Sequence, residues 1–171
     1  MKRSMTILAL AGLAGVAVSV GSATAHDKNR PEVLRAFLVG ANETPAVLTR
    51  ATGRFRAVID EDSQLITYTL TYQGLEGGNT LFAHIHLGER HTAGGVMVFL
   101  CGGGSKPTPC PGPSGEVTGS LMPSDVLALA TQQVPAGSFE ELLTALRSGL
   151  GYVNVHTTVS PGGEIRGQIS R

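Results

Sequence analysis

The sequence predicts an all-β fold, an antiparallel Greek-key-like β-sandwich or barrel of about eight strands with two short helices. Three observations predict it. Apolar and polar residues alternate with a period of two through successive segments, the pattern of half-buried strands whose neighbouring side chains point to opposite faces. Turn signals separate those segments every ten or so residues, and 23 of the 171 residues are glycine. Helical spacing is confined to the stretch between residues 123 and 149.

The elements follow in order. His26 to Glu32 is polar and reads as a flexible leader, and Val33 to Val39 opens the fold. Phe55, Ala57 and Ile59 alternate with Arg54, Arg56 and Val58, and Ile66, Tyr68, Leu70 and Tyr72 alternate with three threonines. The short Asp60-Glu61-Asp62-Ser63 link makes those two strands antiparallel neighbours. Gly74 to Asn79 turns the chain into Phe82 to Gly88, where Ala83, Ile85 and Leu87 form an apolar face and His84 and His86 a polar one. Glu89 to Gly95 is a loop, and Gly95 to Leu100 is an apolar strand running into Cys101. Gly115 to Leu121 is the next strand.

Pro123-Ser124-Asp125 is suited to cap a short helix through Ala130. Ser138-Phe139-Glu140-Glu141 resembles a capping box, with Leu142, Leu143 and Leu146 on one side before Gly149 ends that helix. The helix is expected to cross one end of the sandwich. The last two strands, Gly151 to Thr157 and Glu164 to Ser170, are joined through Ser160-Pro161-Gly162-Gly163. Val153 and Val155 take one face, and Tyr152, Asn154 and His156 take the polar one.

The N-terminus predicts export. Lys2 and Arg3 precede an apolar run from Thr6 to Val20, and Ala23-Thr24-Ala25 is a small-x-small cleavage site. The run is short of the ~20 residues needed to span a bilayer, and no cysteine lies near the site to carry a lipid. The expected organisation is a signal over 1–25, a leader over 26–32 and one domain over 33–171, secreted or periplasmic, with no membrane anchor after cleavage. Loss of Lys2 and Arg3 with the signal leaves 11 basic against 13 acidic side chains. That near-neutral balance carries no basic stripe for nucleic acid. Cys101 and Cys110, an even pair flanking a Gly/Pro-rich loop, read as a disulfide in an exported chain. Closing about ten residues gains roughly 2.7 kcal/mol in the chain-entropy model.

A family resemblance rests on Gly40-Ala41-Asn42-Glu43-Thr44-Pro45-Ala46-Val47, Ala51-Thr52-Gly53, Ala83-His84-Ile85-His86-Leu87-Gly88, and the Tyr152-Val153-Asn154-Val155-His156-Thr157 to Gly163-Glu164-Ile165-Arg166-Gly167 ending. On these motifs the chain resembles chordin-type (CHRD) domains, with Ala46 standing where that family often has a second proline. The resemblance implies an all-β extracellular module. The growth-factor antagonism suggested by the family name lacks its cysteine-rich partner modules here. A weaker similarity links the His-x-His strand and the C-terminal Gly-rich Arg segment to the copper half of copper-zinc superoxide dismutases. Nothing in the chain clearly supplies their bridging histidine or zinc loop.

No nucleophile elbow, P-loop, dinucleotide fingerprint or His-Glu-x-x-His motif is present, so no residue is assigned a catalytic role. The histidines carry the chemistry that remains. Two imidazoles at alternate positions of one strand and a third on a neighbouring strand would bind copper or zinc. The candidate ligands are His84, His86 and His156, with His91 a doubtful fourth, and the alternative is that the rings hydrogen-bond to Asn154, Thr157 or Glu43. His26, at the new N-terminus after cleavage, would offer an amine and an imidazole to copper. Glu43, Glu164 and Arg166 read as exposed motif positions, the last two placed for an ion pair worth at most about 1 kcal/mol if exposed. The functional expectation is an exported binding or structural module for an extracytoplasmic ligand or protein, with a three-histidine metal protein as the alternative.

Overall fold

The computed structural model describes residues 31–171, so the expected signal over 1–25 and His26 fall outside the described residues. The described residues form eight strands: β1 Glu32–Val39, β2 Thr52–Asp60, β3 Leu65–Gln73, β4 Thr80–Leu87, β5 Gly95–Cys101, β6 Gly115–Leu121, β7 Gly151–Thr157 and β8 Ile165–Gln168. Among the described residues one α-helix, α1, spans Phe139–Arg147. All strands lie in one sheet of order β5-β4-β7-β8-β1-β2-β3-β6. Every ladder is antiparallel.

The sheet curls into a nearly closed barrel, with β5 and β6 at its ends. Two tyrosines of β3 reach over to the β5 side. Tyr68 Oη donates to the Leu100 carbonyl at 2.8 Å, and the Tyr72 hydroxyl donates to the Pro111 carbonyl. The Cys101–Cys110 disulfide forms, with Cα atoms 5.2 Å apart. Lys106, inside that loop, pairs with the buried carboxylate of Asp125 at 2.8 Å.

Alternation sorts the core as the sequence predicts. Leu34, Ala36 and Leu38 of β1, Phe55, Ala57 and Ile59 of β2, and Ile66, Tyr68, Leu70 and Tyr72 of β3 all point inward. Ala83 and Ile85 of β4, Val153 and Val155 of β7, and Ile165 complete the wall. Phe139, Leu142, Leu143 and Leu146 of α1 join the same core, where fully burying each large apolar side chain contributes about 1.5–3 kcal/mol.

Four details differ from expectation. Glu32 is not leader but the first residue of β1, held by Arg147 at 2.7 Å and Arg171 at 2.8 Å. No helix runs from Pro123 to Ala130; two 3-10 turns stand there, at Pro123–Asp125 and Ala130–Gln132. Between them Val126 is extended and the Leu127 N–H donates to Met97 of β5, so sheet-edge pairing wins over a short helix. Ser138 is the N-cap of α1, but its side chain makes no capping bond. β8 ends at Gln168, and beyond it the backbone pairs with β1 at the Arg35–Ser170 bridge while the Arg171 side chain reaches Glu32.

Glu164 corrects a further expectation. It is 1% exposed and makes no ion pair with Arg166. Its carboxylate instead accepts four hydrogen bonds, from Thr49 Oγ1 at 2.9 Å, the Glu76 N–H at 2.7 Å, the Gly77 N–H at 2.9 Å and Thr157 Oγ1 at 2.9 Å. Residue 77 must be glycine for this approach, because a Cβ there would overlap Thr157 and the carboxylate itself. One buried anion thus ties the loops before β2 and before β4 to the end of β7. Glu164→Ala is expected to lower stability by at least about 3 kcal/mol, since two backbone N–H groups lose their acceptor at ~1–3 kcal/mol each and two hydroxyls lose a charged partner. Urea unfolding measures this, and a change below about 1 kcal/mol would contradict the tie.

Candidate metal centre

The β4–β7 register sets the site. His84 pairs with Asn154, His86 with Tyr152, and Phe82 with His156. Because side chains alternate, these six residues share the face turned away from the core, while Ala83, Ile85, Val153 and Val155 occupy the other. The three imidazoles converge as the sequence predicts. One ligand nitrogen from each lies within 4.8 Å of the other two, and the ring centroids stand 4.8 to 6.2 Å apart.

The face is polar in composition but is not solvent-exposed. His84, His86 and His156 are 5%, 8% and 5% exposed. Loops 40–47, 88–94 and 160–163 fold over it. Arg166, also buried, does not bond Glu164 but donates to the Thr92 carbonyl at 2.9 Å and the Glu89 carbonyl at 2.8 Å, drawing the 88–94 loop down. Its guanidinium carbon lies 3.4 Å from the ring centroid of Tyr152, in cation–π contact. The same Tyr152 ring stacks on His86 with an interplanar angle of 2°. Phe82 stacks on His84, and Phe99 meets it edge-on at 4.4 Å.

Hydrogen bonding sets the tautomers. His86 Nδ1 lies 2.9 Å from the Gly94 carbonyl, and His156 Nδ1 lies 2.9 Å from the Pro161 carbonyl. A carbonyl only accepts, so each Nδ1 carries the proton and each Nε2 is left with a lone pair. Both Nε2 atoms, and both nitrogens of His84, are buried without a partner. The expected side-chain partners are not used: Thr157 donates to Glu164, and neither Asn154 Oδ1 nor Glu43 Oε1 has a hydrogen bond. His91 is exposed and outside the cluster.

Electrostatics keeps the rings neutral. Burial, reinforced by His156 and His86, lowers the His84 pKa to about 3. Burial lowers that of His156 to about 4 against the pull of the Pro161 carbonyl. His86 is lowered too, by burial, with the Gly94 carbonyl and Asn154 opposing. Glu43 is buried rather than exposed and sits against Gly163, whose φ of 126° and missing Cβ make room for the carboxyl. Burial raises its pKa to about 7, against the opposing charge of Arg166.

Three neutral imidazoles, each with a lone pair that no hydrogen bond occupies, fit a borderline transition metal such as copper or zinc. Nδ1–H bonds to backbone carbonyls are the usual outer support of histidine ligands. Sequence reasoning found the three converging histidines and missed the layer around them. Carbonyls of Gly94 and Pro161 carry no residue-type signal, and the aromatic walls read only as strand residues.

The same pKa shifts predict the pH response of the metal-free protein. A histidine whose folded pKa lies below its ordinary 6.5 destabilises the fold increasingly as pH falls through 6.5 towards the folded value. Glu43 acts oppositely: with a folded pKa of about 7 against an ordinary 4.5, its contribution is present in acid and lost as pH rises through 7. Three rings outweigh one carboxyl. Between pH 6.5 and 4.5, unfolding is expected to take up protons on balance, so stability falls on acidification. Urea unfolding at several pH values checks this, and a flat profile would contradict neutral buried rings.

Comparison with known proteins adds one finding. The sequence model of a family described as "CHRD domain" matches residues 34–169. No curated protein and no solved structure matches the chain.

Proposed function

The chain belongs to the CHRD-domain family, and from that premise we propose that it is an exported binding module that holds one copper or zinc ion on His84, His86 and His156. Family membership supports a binding or structural module. The observation that carries the metal reading is the set of buried imidazole nitrogens without partners, on three rings that each offer one ligand nitrogen within 4.8 Å of the other two. An unpartnered buried polar atom costs about 1–3 kcal/mol, so a cluster of them is a site that a ligand would stabilise. Imidazole suits both metals, and divalent copper binds such donors more tightly than zinc. Export is supported by the Ala23-Thr24-Ala25 cleavage signature and by the disulfide, which persists in oxidising compartments.

Copper(II) or zinc is expected to bind the purified chain at about one per molecule and to raise its melting temperature, by an increment that grows with metal concentration. His86→Ala should remove most of that binding and leave a folded protein. Affinity should fall steeply below about pH 6, because protons compete for the imidazole lone pairs. Isothermal titration of wild type and variant reads all three. Absence of binding in wild type, or stoichiometric binding that survives loss of all three histidines, would overturn the metal reading.

Intact mass of protein recovered from the exported fraction is expected to show a chain that starts at His26 with Cys101 and Cys110 bonded. Retention of Met1, or two free thiols, would overturn export by this route.

A further inference from the structure

The three histidines are not held alike. His86 and His156 are each clamped through Nδ1 by a backbone carbonyl at 2.9 Å. His84 has no hydrogen bond at either nitrogen and is held by ring packing alone, against Phe82, Phe99 and the other two imidazoles. A metal takes one nitrogen of each ring. After that, the N–H groups of His86 and His156 still have acceptors, and the remaining N–H of His84 has none.

Asn154 presents the matching deficit. It is 3% exposed, and its Oδ1 is buried without a partner. It is the direct cross-strand partner of His84 and lies two residues before His156 on the same face. Residues opposite one another on an antiparallel pair place their Cβ atoms about 4.5–5.5 Å apart, within reach of a side-chain hydrogen bond. An amide oxygen only accepts, so it needs a donor. Asn154 lies beside His86, but the one proton of neutral His86 is committed to Gly94. His84 alone among the three rings has an N–H to give.

Resting on the metal reading above, we propose that Asn154 is the positioning residue of the centre: its Oδ1 accepts the N–H of His84 and so directs the other nitrogen of that ring at the metal. His86 and His156 then form the preorganised half of the site, and His84 is the ligand whose orientation is completed when the ion binds. Outer partners of this kind typically change metal affinity by 10–100-fold.

Zinc titration and ¹⁵N-imidazole NMR of the full exported chain test this. In the zinc-loaded wild type, His84 should show one metal-bound nitrogen and one slowly exchanging N–H. Asn154→Leu, close in volume but without an acceptor, should weaken zinc binding by about 10-fold or more and abolish that slow N–H signal. Asn154→Asp, which keeps an acceptor, should recover both. Asn154→Leu binding zinc within twofold of wild type, or a wild-type His84 N–H that exchanges freely in the loaded protein, would overturn the role of Asn154 while leaving the three-histidine centre standing. Failure of wild type to bind zinc at all would overturn both. Should Asn154→Leu fail to fold, the wild-type His84 signal and the Asn154→Asp variant still decide.

Discussion

Strands β4 and β7 are covered on both faces, and most of what is unusual in this chain follows from that. Every residue of β7 is buried, although only Val153 and Val155 of its central residues serve the barrel core. The other face carries Tyr152, Asn154 and His156 beside His84 and His86, polar groups whose burial is unfavourable unless each finds a partner. The fold meets that demand only in part. Two rings receive backbone carbonyls, Tyr152 receives a hydrogen bond from the Gly94 N–H, and a small set of nitrogens and oxygens is left over at the centre. Globular proteins pair the great majority of such atoms, and the remainder is what the proposed metal centre rests on.

The cover itself depends on two buried charged side chains, one on β8 and one immediately before it, each used as a structural clamp. Glu164 gathers donors from the loops before β2 and β4 and from the end of β7. Arg166 gathers acceptors from the 88–94 loop and reaches Thr44 in the 40–47 loop, while Asn42 donates to its backbone carbonyl. Neither spends its charge on the other. A direct ion pair would have been largely neutral in stability at a buried position after desolvation, whereas separate use lets each charge make several strong hydrogen bonds to different segments. The site roof is therefore fastened to the same strands that carry its floor.

Charge at the centre is tuned by the same burial. Desolvation keeps the imidazoles uncharged, which is the form that coordinates a metal. Desolvation also raises the Glu43 carboxyl to about 7, so this group changes charge near neutrality, beside a loop that anchors His156 through Pro161. Arg166 places a fixed positive charge against Tyr152, and Tyr152 transmits the contact to His86 by stacking. Aromatic faces on Phe82, Phe99 and Tyr152 exclude water from the rings without supplying competing donors or acceptors.

The sequence by itself determined the strands, because period-two alternation is a local property: Ile66-Thr67-Tyr68-Thr69-Leu70 and Ala83-His84-Ile85-His86-Leu87 declare both their conformation and their two faces. It determined the Asp60–Ser63 hairpin and the Cys101–Cys110 pairing for the same reason, since each joins near neighbours in the chain. It also brought His84, His86 and His156 into one hypothesis, because equal parity on two strands implies a shared face once those strands pair. What it left open was whether that face meets water. That was decided by loops distant in sequence: 88–94, which Arg166 draws down through backbone carbonyls that any residue type supplies, and 40–47, which meets Arg166 through the side chains of Asn42 and Thr44. The tertiary structure alone likewise turned the 123–130 segment from a helix into sheet-edge pairing and made Glu164 a buried acceptor of four bonds. Alternation tells which way a side chain points, but only packing tells what it meets there.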